Sequence, residues 1–501
     1  MIKKVLIANR SEIACRIIRA CKESGILTVA VYSDVDKNAL HVLQADESVR
    51  LGPAPASESY LNQDLVLKAA LDSGCDSIHP GYGFLAENHD FNQKVIDAGL
   101  IFIGPNPESM RMLGSKTESR TAMINAGVPV APGMKGGSKN ISEFISEAEK
   151  SGYPVLIKAA AGGGGKGMRI VKSVDEMEES VHSAMRESLS AFGSDEVFME
   201  KYIESPRHVE IQIAADKHGN AVALFERECS IQRRHQKIIE EAPSTALTPE
   251  LRKTMCDAAI DVVKTANYDS IGTVEFLLDK YGKYYFLEVN TRIQVEHPVT
   301  EMTTGIDLVK LQINIAAGEK IPFAQEDLKQ TGHAIECRVY AEDADNNFMP
   351  SSGKILYLRE PKGMGVRYDS GIMQGSDVTV FYDPVLAKLI VYGADREEAR
   401  KRMIMALKEN VVLGVKTSIA YMAEILEHPE FISGNTQTDF IEKHMGERKA
   451  VPEEYTQAAM AAGALLGDKK KPQAVSSVSG QSGIQSPWQT VGKWEIASSK
   501  I

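Results

Sequence analysis

Short, wholly apolar runs separated by amphipathic stretches open the chain. Val5–Ala8 is one such run, and Thr28–Tyr32 is a second, rich in β-branched residues. Ser77–His79 and Ile101–Ile103 read as later strands that end at Pro and Gly breaks. Strands of this kind, alternating with helices over the first hundred or so residues, predict a doubly wound parallel sheet. Ser11 is placed to cap the helix after the first strand, with Glu12 in its first turn. No GxGxxG follows that strand, which argues against dinucleotide binding.

From about Gly114 the pattern changes. A helical stretch leads to Gly127-Val128-Pro129-Val130, then to a strand–glycine loop–strand unit at Val155–Val171. A third region, roughly 333–445, mixes short strands with helices and contains the Asp/Asn-rich loop Glu342–Asn347. Beyond Lys469-Lys470-Lys471-Pro472 a Ser/Gln/Gly-rich run extends to Pro487, with the composition of a flexible linker. Both tryptophans, Trp488 and Trp494, follow it.

With 501 residues the chain has length for two to four domains. A net charge of -11 argues against a nucleic-acid or anionic-membrane partner, since either needs a basic face. No apolar run approaches the roughly 18 residues of a spanning helix, and the N-terminus reads as a strand rather than a signal peptide. The six cysteines are scattered without a CxxC pair. Zinc and disulfide frameworks are therefore not expected, and a reducing cytoplasm is the simplest location.

Three segments carry candidate chemistry. The first runs from Lys158, at the end of an apolar strand, into Gly162-Gly163-Gly164-Gly165-Lys166-Gly167. Glycines let backbone N–H groups approach a phosphate, and lysine adds positive charge. A bare hinge could have the same glycines, but flanking strands and lysines favour a phosphate-covering lid. The Lys-Ser/Thr pair of a Walker loop is missing. The second segment pairs Gly272–Leu278 with Tyr284–Asn290 across the short turn Asp279–Lys283, a β-hairpin signal. Glu275 and Glu288 then face each other. Two like charges on apolar strands imply a cation, and hard oxygen ligands suit Mg²⁺.

The third segment continues that strand through Glu288, Asn290, Arg292, Gln294 and Glu296, which a period of two puts on one face. A solvated edge would also alternate. The mixture of acids, amides and a guanidinium instead suits a metal at one end and a small oxyanion in the middle, gripped by Arg292, with Glu296 as a base. In Gln232-Arg233-Arg234-His235-Gln236-Lys237, alternation puts Arg233, His235 and Lys237 on one side, where they could meet phosphates.

With these residues assembled, the chain closely resembles the biotin carboxylase family of ATP-grasp ligases over about residues 1–445. The resemblance rests on Leu6-Ile7-Ala8-Asn9-Arg10, His79-Pro80-Gly81-Tyr82-Gly83-Phe84-Leu85, Gly114-Ser115-Lys116, the glycine lid, and above all Glu288-Val289-Asn290-Thr291-Arg292-Ile293-Gln294-Val295-Glu296-His297-Pro298. It implies an α/β protein with an ATP-grasp fold. An N-terminal doubly wound, Rossmann-like domain would span 1–114. An ATP-grasp domain would span 115–330, with its lid at about 131–203. A C-terminal α+β domain would span 331–446, and a linker or tail 447–501. The resemblance further implies that ATP is bound by Lys116, Lys158, Gly164, Gly165, Glu200, Lys201, Tyr202, Ile203, His208, His235, Glu275 and Glu288. Mg²⁺ or Mn²⁺ would be held by Glu275, Glu288 and Asn290. Bicarbonate would be held by Lys237, Arg292, Gln294 and Val295. Arg292, Glu296 and Arg338 would be catalytic, Glu296 as the base and Arg338 at the biotin enolate. Arg16, Arg19, Glu23 and Arg367 match a family homodimer contact. The chain departs from the family at Ser11 and Lys166, where glycine and arginine are common, and at Met364, often aromatic.

The implied reaction is carboxylation of biotin by ATP and bicarbonate through carboxyphosphate, the first half-reaction of a biotin-dependent carboxylase. Its final acceptor is left open among acetyl-CoA, pyruvate, propionyl-CoA and larger acyl-CoA. Another ATP-grasp ligase would share the lid and acid pair but not Arg292–Glu296 with Arg338. A non-enzymatic homologue would be expected to lose one of these residues. The only Met-Lys pair, Met134-Lys135, is not in the Ala-Met-Lys-Met context of a biotinylated lysine. Biotin is therefore expected on a separate carboxyl carrier protein, working with a carboxyltransferase subunit. Ser486-Pro487-Trp488 and Gly492-Lys493-Trp494 faintly resemble segments beyond the core of acyl-CoA carboxylases and suit a docking tail.

Overall fold

The computed structural model describes residues 1–160, 168–234, 236–446, 454 and 457–460. Gly164, Gly165, Lys166, His235 and the tail with Trp488 and Trp494 lie outside the described residues. The first sheet has five parallel strands in the order Glu47–Gly52, Leu27–Ser33, Lys4–Ile7, Ser77–His79 and Ile101–Phe102. It starts in the middle and winds outward both ways, as its apolar runs predict. Val5, Leu6, Ile7, Val29, Val31 and Ile78 are all fully buried. The edge strand Glu47–Gly52 escaped the apolar pattern because Glu47, Ser48, Val49 and Arg50 are all at least partly exposed.

The helix Ser11–Glu23 follows the first strand, but Ser11 does not cap it. Arg10 occupies the cap position, and no side chain bonds there. Ser11 has φ 58°, in the left-handed region that favours glycine. The family's usual glycine at this position thus has a backbone reason.

A second sheet of eight antiparallel strands forms the body of the site. Its order is Tyr284–Asn290, Ile271–Leu278, Arg207–Ala215, Ala221–Arg233, Gln236–Ala242, His333–Tyr340, Val385–Gly393 and Val366–Ser370. The strand His333–Tyr340 pairs directly with Gln236–Ala242. One continuous sheet therefore carries site residues from both sides of position 330. A third, three-stranded sheet joins Arg169–Val171, Val155–Ala159 and Val197–Lys201. It packs on the helices Ile141–Ser151 and Met177–Phe192 through Phe144, Val155, Ile157, Val181 and Met199. Among the described residues no helix is long and apolar enough to cross a membrane. All six cysteines are buried and unpaired.

The four residues matched to a dimer contact divide into two pairs. Arg16 is buried and donates to Glu301 at 2.9 Å and Asp307 at 2.6 Å. Arg367 donates to Glu301 and Asp369. Both therefore have partners inside the chain. Only Arg19 and Glu23 have roughly half-exposed side chains, and each already has an internal partner, Asp369 and Lys310.

Behind the eight-stranded sheet, Glu241 ties its strand to the C-terminal helices. It accepts from His333 Nε2 at 2.7 Å and from Arg396 Nε at 2.7 Å, and Arg396 also donates to the carbonyl of Phe431. Burial works against the Glu241 charge, but the His333 and Arg396 contacts outweigh it and pull the carboxyl from 4.5 down to about 2. The folded state thus binds this carboxyl's proton less tightly than the unfolded chain does. Its stabilisation is complete above about pH 4.5 and is lost as pH falls toward 2. Glu241→Gln should cost roughly 3 kcal/mol at pH 7 and almost nothing near pH 2. Urea unfolding of both proteins at several pH values checks this, and a pH-independent difference would remove Glu241 from the acid limb.

Candidate active site

A cleft opens at the junction of the three-stranded sheet and the hairpin edge of the large one. Lys116 starts the helix Lys116–Asn125, whose N-terminus is capped by Ser115. Lys158 lies on the strand Val155–Ala159 and pairs with Glu200 on the neighbouring strand. A narrow cleft is lined by Lys116, Arg120, Lys158, Glu200, Phe286 and Glu288, among others. Burial lowers the pKa of Lys116, and Glu288 partly opposes that. Two lysines thus share a confined space, which suits polyphosphate. Arg120 was not singled out in the sequence; it donates to the carbonyls of Met134 and Ala131 and so braces the cleft wall. Of Lys201, Tyr202 and Ile203, the Lys201 ammonium is taken by the carbonyls of Gly152 and Tyr153, and the Tyr202 N–H by the carbonyl of Pro154.

The hairpin forms as its pattern predicts. Ile271–Leu278 pairs with Tyr284–Asn290, and Glu275 is the register partner of Glu288. A register shift beside this pair leaves Leu287 without a partner, as in a β-bulge. Glu275 is fully engaged. It accepts from Lys237 at 2.8 Å, Asn290 Nδ2 at 2.8 Å and Gln294 at 3.1 Å, and lies 2.9 Å from His208 Nε2. Burial opposes its charge, but Lys237 and His208 hold its pKa well below the usual range. Glu288 is pushed the other way, first by burial and then by Glu275. Two facing carboxylates, one ionised and one unwilling to ionise, fit a shared hard divalent cation. Asn290 is less available, since its Oδ1 accepts from Arg292 and its Nδ2 donates to Glu275. His208, Glu210 and Glu275 also bring ligand atoms within 4.8 Å of one another. Lys237 already neutralises the two acids of that group.

The strand does not continue to Glu296. It ends at Asn290, and the helix His297–Thr304 begins with Glu296 at its N-cap position and Pro298 in its first turn. The polar residues converge through a loop instead. Arg292 donates to Glu87 at 3.0 Å, Gln294 at 2.9 Å and Asn290 at 3.0 Å. Glu87 also receives the Thr291 N–H. The Val295 carbonyl accepts from Lys388 at 3.0 Å.

Lys237 is the hub. Its ammonium sits 2.6 Å from Glu210, 2.8 Å from Glu275 and 2.7 Å from Glu296. Burial alone would neutralise it, yet these three carboxylates raise its pKa well above the usual lysine value. Glu296 is fully buried, and Lys237 and Arg338 hold it ionised against the cost of burial. Arg338, on the strand His333–Tyr340, reaches Glu296 at 2.9 Å and Glu240 at 2.6 Å. The arrangement links a buried carboxylate, Glu296, to a lysine and an arginine at once. Arg233 does not join Lys237 as expected. It pairs with Glu342 at 2.9 Å and stacks on Phe348, because Arg234 turns the hairpin with φ 48°. Glu210 was missed, although His208, Glu210 and Gln212 alternate as buried polar residues along Arg207–Ala215, a signal legible in the sequence.

Comparison with known proteins meets the same residues. Residues 1–110 match the biotin carboxylase N-terminal domain model, 115–324 the ATP-binding domain of the carbamoyl-phosphate synthase L chain, and 336–443 the biotin carboxylase C-terminal domain. The biotin carboxylase of Haemophilus influenzae is 52% identical over 447 residues, covering 89% of this chain and 99% of that protein. The chain belongs to the biotin carboxylase family. Its members carry out an ATP-dependent carboxylation, so the carbamoyl-phosphate description of the middle region reflects the shared ATP-binding fold. The alpha subunits of mitochondrial methylcrotonoyl-CoA carboxylase from mouse and Dictyostelium discoideum are 49% and 47% identical. This chain spans 62% and 70% of their lengths, and the Dictyostelium match covers 99% of this chain. Among solved structures, the biotin carboxylase domain dimer of Hydrogenobacter thermophilus 2-oxoglutarate carboxylase, with MgADP and bicarbonate, superposes with TM-score 0.86. It is 45% identical, and the match covers 90% of this chain and 99% of that domain.

Proposed function

We propose that this biotin carboxylase family member uses MgATP and bicarbonate to carboxylate biotin displayed on a carrier domain. The observation that carries the reading is the placement of Glu296 between Lys237 and Arg338, with the Glu275–Glu288 hairpin and the two-lysine cleft beside it. In this reading Lys116, Lys158, Gly164, Gly165, Glu200, Lys201, Tyr202, Ile203, His208 and His235 bind the nucleotide. Glu275 and Glu288, with Asn290 beside them, hold the divalent ion, which supplies charge neutralisation for the phosphates.

Arg292, Gln294, Lys237 and Val295 hold bicarbonate, and Glu296 takes its proton. An anion that claims Lys237 relieves Glu296 of one of its cations and so raises its basicity. The bicarbonate oxygen then bonds to the γ-phosphorus as the bond to ADP breaks, giving carboxyphosphate. Carboxyphosphate separates into CO₂ and phosphate, the phosphate takes the proton from the ureido nitrogen of biotin, and that nitrogen bonds to CO₂. Arg338 compensates the negative charge on the ureido oxygen.

The working domain limits remain 1–114, 115–330 and 331–446, followed by 447–501. We read the protein as a homodimer in a reducing compartment, acting with a carrier and a carboxyltransferase. A match that continues past residue 446 in the Dictyostelium subunit favours an acyl-CoA as final acceptor over pyruvate. Phosphate release should rise several-fold on adding bicarbonate, with labelled carbonate entering free biotin. If biotin stays unlabelled while ammonia or an amino acid stimulates ATP hydrolysis, the chain is a different ATP-grasp ligase.

A further inference from the structure

Behind Arg338 the large sheet buries more acid than the reaction described above uses. Glu240 on Gln236–Ala242 is the register partner of Glu336 on His333–Tyr340. Glu336 and Arg338, two residues apart, share a face of their strand. Lys388, the register partner of Arg338 on Val385–Gly393, is fully buried and pairs with Glu12 at 3.2 Å. Glu240 and Glu336 are also fully buried. Both oxygens of Glu336 lack a hydrogen-bond partner, and so does Oε2 of Glu240.

Arg338 gives Nε to Glu240 and Nη2 to Glu296. Nη1 is the nitrogen that neither carboxylate claims, and the Tyr340 side chain lies against the same guanidinium. An arginine left to its flexible side chain would present that nitrogen over a range of directions. A carboxylate on each side fixes the plane of the guanidinium.

We infer that Glu240 is a positioning residue, which aims the free edge of Arg338 at the biotin ureido oxygen, and that Glu336 stays protonated behind it. Two adjacent buried carboxylates cannot both ionise cheaply, and only Glu240 has a guanidinium to pair with. The titratable and charged groups around Glu240 are Arg338, Glu336, Tyr340 and Cys337 from the strand beside it, Cys229 from the strand on its other side, Glu296 from the helix start, Lys237 on its own strand, and Lys388 and Glu12 behind Glu336. Burial, opposed by Arg338, leaves Glu240 at about 7. Glu336 lies well above the usual carboxylate range, again through burial first. The aim of Arg338 is thus complete above neutrality and is lost as Glu240 gains a proton.

This inference rests on the biotin carboxylase reading, and one set of assays separates the two. Bicarbonate-dependent ATP hydrolysis without biotin, and carboxylation of free biotin, are measured from pH 6 to 9 for the full chain and for Glu240→Gln, Glu240→Asp and Glu336→Gln. Glu240→Gln should lose tenfold or more in biotin carboxylation, keep hydrolysis within about twofold, and lose the acid limb peculiar to the biotin reaction. Glu240→Asp should keep that limb and recover part of the rate. Glu336→Gln, which replaces a neutral acid by a neutral amide, should stay within about threefold in both reactions. Equal loss of both activities in Glu240→Gln, or an unchanged acid limb, overturns the positioning role. If Glu240→Gln does not fold, failure of Glu240→Asp to keep the limb does the same. Absence of bicarbonate-dependent hydrolysis in the unaltered chain instead overturns the proposed function.

Discussion

Glu296→Gln should leave a folded, ATP-binding protein whose biotin carboxylation is reduced by a factor of about 10² to 10⁴, the usual contribution of a general base. Glutamine has nearly the same shape, so the fully buried site is not left with a hole. Its amide oxygen can still accept from either Lys237 or Arg338. The two cations are not stranded, because Lys237 keeps Glu210 and Glu275, and Arg338 keeps Glu240. The fold is therefore retained while the carboxylate proposed to take the bicarbonate proton is removed. Lys158 pairs with Glu200, and the cleft that it lines with Lys116 does not include Glu296, so ATP affinity should change by less than about threefold, or under about 0.7 kcal/mol. Labelled bicarbonate incorporation measures the first quantity and calorimetric titration with ATP the second. Carboxylation within tenfold of the unaltered protein would exclude Glu296 as the base.

How far the sequence led depends on the range over which each contact acts. The Glu275–Glu288 pair was legible because a hairpin is local: two apolar runs and a short turn fix which residues face each other. The doubly wound sheet was legible for a similar reason, since each strand is a buried apolar run. The strand through Arg292, Gln294 and Glu296 was a local reading that failed. Alternation cannot distinguish a strand from a loop whose side chains are pulled inward by distant partners, and here Glu87 takes both the Thr291 N–H and the Arg292 guanidinium. Glu87 is 205 residues from Arg292, and Lys388 is 93 from Val295. Nothing near those positions in sequence announces either contact. Arg16 and Arg367 show the same limit, because nothing near either in sequence announces the buried Glu301 that both arginines meet. The polar alternation of His208, Glu210 and Gln212 is different. It was present in the sequence as an alternating polar row, and its meaning comes from Arg227 on the adjacent strand and Lys237 on the strand beyond it.

Arg227→Met should be the most destabilising single change near the site, costing roughly 3 to 5 kcal/mol, the range for breaking a buried ion pair from one side. Arg227 is fully buried in the middle of the strand Ala221–Arg233. It donates to Glu210 at 2.5 Å, Gln212 at 2.6 Å, and the hydroxyls of Thr273 and Thr300 at 2.9 Å each. Methionine fills much of the volume but supplies none of those donors. Gln212 Oε1 would then face an apolar side chain, and Glu210 would depend on Lys237 alone. That dependence links stability to catalysis, because Lys237 is shared by Glu210, Glu275 and Glu296. A stronger pull from Glu210 would draw the ammonium away from Glu296 and weaken bicarbonate binding, so the bicarbonate KM should rise as well. Arg227→Lys keeps a charge but loses the planar fork that spans four acceptors, and should recover less than half of the lost stability. Because domains of this size are stable by only about 5 to 15 kcal/mol, the methionine variant should show a large fall in the urea midpoint at unchanged slope. A loss below about 1 kcal/mol would mean that water or a rearranged Gln212 satisfies Glu210 as well as the guanidinium does.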